Sequence, residues 1–399
     1  MDRERCQSRT IPYSDDENFE IWCRDELFTL STIRAMAFLE CACDLHLSEL
    51  YRSLDMASHL EAAKTASQLT SELGFVQSAD IALEAMLLRL ANRTGLVRID
   101  LGCEPLRFIA HHPGADQSAK LESVRRDLAA LGDGYAAAME FLDFGAQNFV
   151  RSLRDDPDFM DRVLSGRERD FQPIWHRATN EDPLQDAHGR MGAKLIAQIF
   201  DRGNILEVGG GTGNGIRHLL RRFADEQCLS RLESYVFTDV SLPFILGTKQ
   251  EISKAYPTVK TQWHCLDINK PFRQQKLSPE SFALIYGVNA AHIARDTVTF
   301  LQECYAALRP GGQVVFAERV RLNAQEMAPR ELTLNLSAYH RTAAIRNPVY
   351  RQIHAYLSPE HWMRALTLAG FRKSRVLPRV EVLADAFPNK HAAVVVGEK

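Results

Sequence analysis

The stretch Asn204 to Phe223, NILEVGGGTGNGIRHLLRRF, restricts the chain more than any other. Asn204-Ile205-Leu206-Glu207-Val208 is a short apolar run ending in glycines, and Gly215 to Phe223 carries apolar residues at helical spacing, so the segment reads strand, glycine turn, helix. Gly209, Gly211 and Gly213 alternate, which lets the backbone approach a flat ligand where a Cβ would collide.

The loop reads Glu-x-Gly-x-Gly-x-Gly. It lacks the Lys-Ser/Thr ending of a phosphate loop, and Asn214 and Ile216 stand where a nicotinamide fingerprint needs its third glycine. Glu207 at the strand end would repel a pyrophosphate. A carboxylate there suits a ligand with a cationic amino group, which points to S-adenosylmethionine.

At 399 residues the chain is long enough for two domains with separate cores. Its hydrophobic content of 45% and charged content of 25% are ordinary for a globular protein, and a net charge of −3 exerts no global pull on nucleic acid or acidic membranes. The eight cysteines show no repeated CxxC, which argues against a disulfide framework or zinc module. His264, His340 and His354 lack ligand spacing, so no metal site is expected, and Cys41-Ala42-Cys43 reads as core. The polar N-terminus carries no signal peptide and no run reaches a membrane span, so a cytoplasmic location is expected.

Taken in order, residues 1–18 read as a flexible tail, and 19–165 as a mainly helical domain with a hairpin at Leu96–Ile99 and Leu106–Ile109. Helix, turn, helix, hairpin is the winged-helix order. The helix that would enter a groove, Ile81 to Arg89, is poor in Arg and Lys, so packing or dimerisation is the expectation and nucleic acid is not. Residues 166–186 have no clear period and read as a connector near the cleft. Within it, Trp175 and His176 either touch substrate or pack the segment down. From 187 the chain alternates helix and strand, with strands at 234–239, 259–266, 282–287 and 313–318, and a turn at Arg309-Pro310-Gly311-Gly312. The implied fold is a doubly wound, Rossmann-like, mostly parallel α/β sheet whose last strand is antiparallel.

With these motifs in order, residues 187–399 resemble a class I S-adenosylmethionine-dependent methyltransferase. Tyr235-Val236-Phe237-Thr238-Asp239-Val240-Ser241, Asn289-Ala290-Ala291-His292, and Leu308-Arg309-Pro310-Gly311-Gly312 through Glu318 are further similar to the C-methyltransferase domains of polyketide synthases. Ala290-Ala291 and Ile293-Ala294 depart from that pattern around the histidine. The helical first half shares only the general plan of small-molecule methyltransferases.

The resemblance implies S-adenosylmethionine bound by Glu207, Gly209, Gly211, Gly213, Asp239, Val240, Asp267, Ile268 and Asn289. Asp239 would accept from ribose hydroxyls or, alternatively, cap a helix. Asp267 and Ile268 would face adenine, unless Asp267 only forms a turn. His292 and Glu318 would be the base and its orienting carboxylate in carbon methylation; the competing reading makes them a helix-start residue and a strand end. Tyr339 and His340, with Arg341, either line the acceptor pocket or form a packed helix. The expected activity is methyl transfer in secondary metabolism to a small-molecule or acyl-thioester substrate, free or on a carrier protein. Oxygen, nitrogen or sulfur acceptors are the alternative, and a winged-helix regulator that senses S-adenosylmethionine a further one. A homodimer through the N-terminal domain is a further expectation.

Overall fold

The computed structural model describes residues 15–100, 102–111, 120–165, 167–168, 171–322, 327–343, 347–351, 356–380 and 392–399. Of the expected tail, 1–14 lie outside these, while Asp15–Trp22 is a helix.

Two strands, β1 (Val97–Asp100) and β2 (Arg107–Ala110), pair antiparallel as the expected hairpin. The remaining strands are β3 (Gly203–Glu207), β4 (Leu232–Asp239), β5 (Thr261–Cys265), β6 (Phe282–Val288), β7 (Leu308–Arg319), β8 (Arg372–Leu377) and β9 (Ala392–Glu398). They form one seven-stranded sheet in the order β5-β4-β3-β6-β7-β9-β8. β3 pairs in parallel with β4 and β6, β4 with β5, and β6 with β7; β9 enters antiparallel between β7 and β8. The order reverses at β3, which opens a crevice beyond the carboxyl ends of β3, β4 and β6.

Strand periodicity explains the layering. Ile205, Tyr235, Tyr286 and Val315 face one core with Ile196 and Leu220, from helices Pro183–Ile199 and Asn214–Asp225. Their neighbours Leu206, Val236, Ile285, Val314 and Phe316 face the other core with Leu301 and Trp362, from helices Thr297–Ala307 and Pro359–Ala369. Covered on both faces, these strands read as continuous apolar runs. The turn expected at Arg309–Gly312 is drawn into β7, where Gly311 takes φ +74° beside a register shift against β6.

The stretch 166–186, expected without period, contains helix Gln172–Asn180, and the next helix begins at Pro183 rather than Ala187. Asp182 caps that helix through the Leu184 N–H, with Pro183 at its first turn.

A third core lies among the N-terminal helices and also takes in Met327, Leu332 and Leu336 from the segment after β7. Conversely, Phe19, Cys23, Leu27 and Phe28 bury against the sheet side, tied there by Glu20 to Arg379 and Asp16 to Arg375. Helix Asp80–Arg89, expected to pack rather than to read a groove, buries Ala82, Leu83, Met86, Leu87 and Leu88 in the third core. Among the described residues no helix is long and apolar enough to cross a membrane.

Candidate active site

The glycine loop lies at the switch point. Gly209, Gly211 and Gly213 take φ of +60°, +53° and +86°, the left-handed region that favours glycine. A Cβ on Gly209 would stand 2.5 Å from the Cβ of Ala290, whereas one on Gly211 meets nothing within 4 Å, so the crest of the loop faces open space.

Asp239, at the end of β4, ties that crest down. Its Oδ2 accepts from the Gly211 N–H at 2.9 Å and its Oδ1 from the Ser241 N–H at 2.7 Å. Burial raises its carboxyl above the usual range, opposed by hydrogen bonds from the Ser241, Gly211 and Val240 N–H groups. The carboxylate thus ties the glycine crest to Ser241, the residue that precedes the helix Leu242–Ala255. Val240 beside it is apolar and 60% exposed.

Glu207 is sealed in. The Tyr235 hydroxyl donates to its Oε2 at 2.7 Å, and its Oε1 is buried with no close hydrogen-bond partner among the described residues. That oxygen lies against the first turn of helix Asn214–Asp225, 2.1 Å from where a Cβ on Gly215 would sit. Burial pushes the carboxyl up to about 8, against the pull of Tyr235, Arg217 and the Ile216 N–H.

Asp267 follows β5. Its Oδ1 accepts from the Asn269 N–H at 2.9 Å and its Oδ2 lies 3.2 Å from Lys270 Nζ. Ile268 is buried among Leu206 and Val236. Asn289, after β6, has φ +48°; its Oδ1 accepts from the Arg319 N–H at 2.7 Å while its Nδ2 is buried with no acceptor among the described residues. A buried amide nitrogen without an acceptor, on the residue next to the Ala290 that packs under Gly209, fits a polar ligand in the crevice.

Next to Asn289 stands a second group. His292 lies in the short helix Ala291–Ile293, and its Nδ1 is 2.6 Å from Glu318 Oε2. Glu318, near the end of β7, accepts at Oε1 from the Ala290 and Ala291 N–H groups at 3.0 and 2.8 Å. Both side chains are buried. Tyr356 packs on the imidazole at a ring distance of 4.7 Å, and His340 stands edge-on at 6.3 Å. Burial pushes the Tyr356 hydroxyl up to about 12.

Tyr339 faces elsewhere. Its hydroxyl accepts from Asn269 Nδ2 at 2.8 Å, and burial together with the nearby Asp267 and Asp239 carboxylates raises it. It therefore stands on the Asp239–Asp267 side, while His340 stands beside His292. Arg341 is anchored by its bond to the Asn335 carbonyl and by Ser78. Trp175 packs into the N-terminal core against Phe141 and Phe171, its Nε1 buried without an acceptor, and His176 is half exposed, 3.9 Å from Glu181.

Several residues of the site carry no sequence signal. Arg351 donates to the carbonyls of His292 and Ala294 and to Thr297, which pins the turn under the imidazole. Burial holds that guanidinium down at about 10. Tyr356 and Arg319 converge from separate segments, so spacing cannot disclose them. Among the described residues no group of three or more His, Cys, Asp or Glu could hold a metal ion.

The doubly wound sheet with a glycine loop at its switch point is the Rossmann-like fold of methyltransferases. Residues 206–314 match a protein-family model described as a methyltransferase domain. A highly reducing polyketide synthase of Pyrenophora dematioidea is 31% identical over 145 residues, covering 34% of this chain and 6% of the synthase. The hybrid PKS-NRPS synthetase apdA of Emericella nidulans is 31% identical over 202 residues, covering 50% of this chain and 5% of the synthetase. The chain thus spans a small fraction of the length of these curated relatives. Among solved structures, the CurJ carbon methyltransferase superposes with a TM-score of 0.74 at 18% identity, over 97% of this chain and 99% of that one. The citrinin polyketide synthase CMeT domain gives 0.71 at 15% identity, over 96% and 93%. The shared fold extends through the N-terminal helical half.

Proposed function

We propose that the chain methylates carbon, on an acyl or oxo compound whose reacting carbon is acidified by a neighbouring carbonyl. The observation that carries this reading is the His292–Glu318 pair, buried beside Asn289 at the rim of the crevice. The relatives' names add secondary metabolism and acyl substrates, which reach this enzyme as a carrier-linked thioester, a free thioester or a free acid.

Bound S-adenosylmethionine would supply an electrophilic methyl group on a sulfonium, held by the glycine loop, Asp239, Val240, Asp267, Ile268 and Asn289. Glu318 accepts at Nδ1 of His292, so that nitrogen carries the hydrogen and Nε2 keeps its lone pair for the proton of the acceptor carbon. The same carboxylate is held by two backbone N–H groups, so it stays aligned as the imidazole gains charge. Tyr356 against the ring and Arg351 beneath it fix the imidazole and keep water from its faces.

Methyl-labelled S-adenosylmethionine, incubated with β-ketoacyl thioesters, oxo acids and thioethers, tests the proposal by mass spectrometry. The expected product carries the label on carbon, and His292→Ala abolishes both it and solvent-deuterium exchange at the acceptor carbon. Label on oxygen, nitrogen or sulfur, or full turnover by His292→Ala, refutes the carbon reading.

A further inference from the structure

A circuit of hydrogen bonds closes on itself where β4 and β5 end. From Asp239 it runs to the Ser241 N–H, and from the Ser241 hydroxyl to the Ser165 carbonyl at 2.7 Å. Ser165 follows the helix Phe159–Leu164, and its N–H donates one turn back to the Asp161 carbonyl at 3.0 Å. The Asp161 carboxylate accepts from the Tyr339 N–H at 3.2 Å and also from the Ser337 hydroxyl. The Tyr339 hydroxyl accepts from Asn269 Nδ2 at 2.8 Å, and the Asn269 N–H donates to the Asp267 carboxylate at 2.9 Å. The Leu266 N–H then returns to the Asp239 carbonyl at 3.0 Å.

Three parts of the chain that are far apart in sequence meet in this circuit. The sheet supplies Asp239 and Asp267, the helical half supplies Asp161 and Ser165, and the segment after β7 supplies Tyr339. Its links are unequal. The bonds from Leu266 to Asp239 and from Ser165 to Asp161 run between backbone groups and last as long as the strand ends and the helix turn. Those from Ser241 to Ser165 and from Asn269 to Tyr339 are made by side chains that reach across separate segments. Tyr339 is 43% exposed, and a single neutral hydrogen bond at an exposed position parts at little cost. The neighbouring His340, not Tyr339, is the residue of this segment that stands beside His292.

We propose that the Asp161–Ser165 turn and Tyr339 form a strap across the cofactor end of the crevice, with Tyr339 as its latch. S-adenosylhomocysteine leaves, and S-adenosylmethionine enters, when Tyr339 parts from Asn269. The inference rests on the reading that places the cofactor at Asp239 and Asp267. Tyr339 therefore governs the exchange of cofactor and not the affinity for the acceptor, and the helical half takes part in holding the cofactor through Asp161 and Ser165.

The test follows S-adenosylhomocysteine binding to and leaving the full immobilised chain on a biosensor, for wild type, Tyr339→Phe and Ser241→Ala. Tyr339→Phe keeps the ring and removes the oxygen that Asn269 reaches. Ser241→Ala opens the opposite link and leaves its own N–H on Asp239. Each should speed release by about 3–10-fold, the size of one net hydrogen bond. The KM for the methyl acceptor should not change. Unaltered release in Tyr339→Phe overturns the latch, as does a raised acceptor KM with unaltered cofactor rates. Tyr339→Phe, at an exposed position, decides alone if Ser241→Ala does not fold. Asp239→Ala separates the two layers of the argument. Full affinity for S-adenosylhomocysteine in that variant removes the cofactor placement and the latch with it. Lost binding there, together with unaltered release in Tyr339→Phe, removes the latch alone.

Discussion

Glu318 meets His292 with one oxygen, 2.6 Å from Nδ1, and with the other it holds the backbone of Ala290 and Ala291, the two residues that deliver the histidine. One carboxylate thus contacts both the ring and the turn that carries it. Glu318→Gln should keep much of the turn but offer Nδ1 the wrong partner. Turnover is expected to fall by roughly 10²–10⁴-fold, as when the orienting acid of a triad is replaced by its amide. Titration with S-adenosylhomocysteine should be unaltered. A variant within twofold of wild type in kcat would remove the orienting role.

Asp239 serves the fold and the crevice at once, and the two roles separate experimentally. Asp239→Ala leaves the Gly211 and Ser241 N–H groups unpaired in a buried place, at a cost of about 1–3 kcal/mol in urea denaturation. If the carboxylate also holds the cofactor, calorimetric binding of S-adenosylhomocysteine should disappear. Lowered stability with unchanged affinity would leave only the bracing of Gly211 and Ser241.

Thr212, in the glycine loop, bonds to Thr179 Oγ1 at 2.7 Å and to Asn180 Nδ2 at 2.8 Å, at the end of the helix whose Trp175 packs on Phe141. Arg217 reinforces the link through Asn180 Oδ1 at 2.7 Å and the Thr212 carbonyl. The loop is therefore roped to the helical half. Thr212→Val keeps the shape and removes the hydroxyl. With the hydroxyl's two hydrogen bonds at stake, the Kd for S-adenosylmethionine is expected to rise by roughly 5–100-fold. An unchanged Kd by calorimetry would mean that the rope does not hold the loop.

Much of this was legible in the chain because it is local. Gly209, Gly211 and Gly213 announce their left-handed backbone, and the apolar runs of β3, β4 and β6 announce strands buried on both faces. Asp239 and His292 follow strand ends, where a parallel sheet opens its crevice. What stayed hidden depends on distant segments. Phe19 and Cys23 pack on the sheet, and Met327 and Leu332 pack in the opposite half, exchanges that helical spacing cannot reveal. Tyr339 and His340 are adjacent in sequence yet face different parts of the site. The carboxyl of Glu207 engages Tyr235 on the neighbouring strand, a partner set by register between strands.

That burial of Glu207 gives the protein a pH-dependent stability. Its carboxyl, ordinarily near 4.5, is pushed up to about 8 in the fold, chiefly by loss of solvent. Below pH 4.5 folded and unfolded chains both hold the proton, and the group's full contribution to stability is present. Between 4.5 and 8 the unfolded chain releases it while the folded chain retains it, so stability falls as pH rises through that window. Each unit of separation corresponds to about 1.4 kcal/mol, so several kcal/mol are at stake. Glu207→Gln can still accept from the Tyr235 hydroxyl but cannot ionise. Its stability in urea should therefore be flatter than that of wild type between about pH 5 and about pH 8 by roughly 3 kcal/mol. Parallel curves for the two proteins would show that Glu207 is ionised throughout, and that the oxygen against Gly215 finds its hydrogen bond in solution.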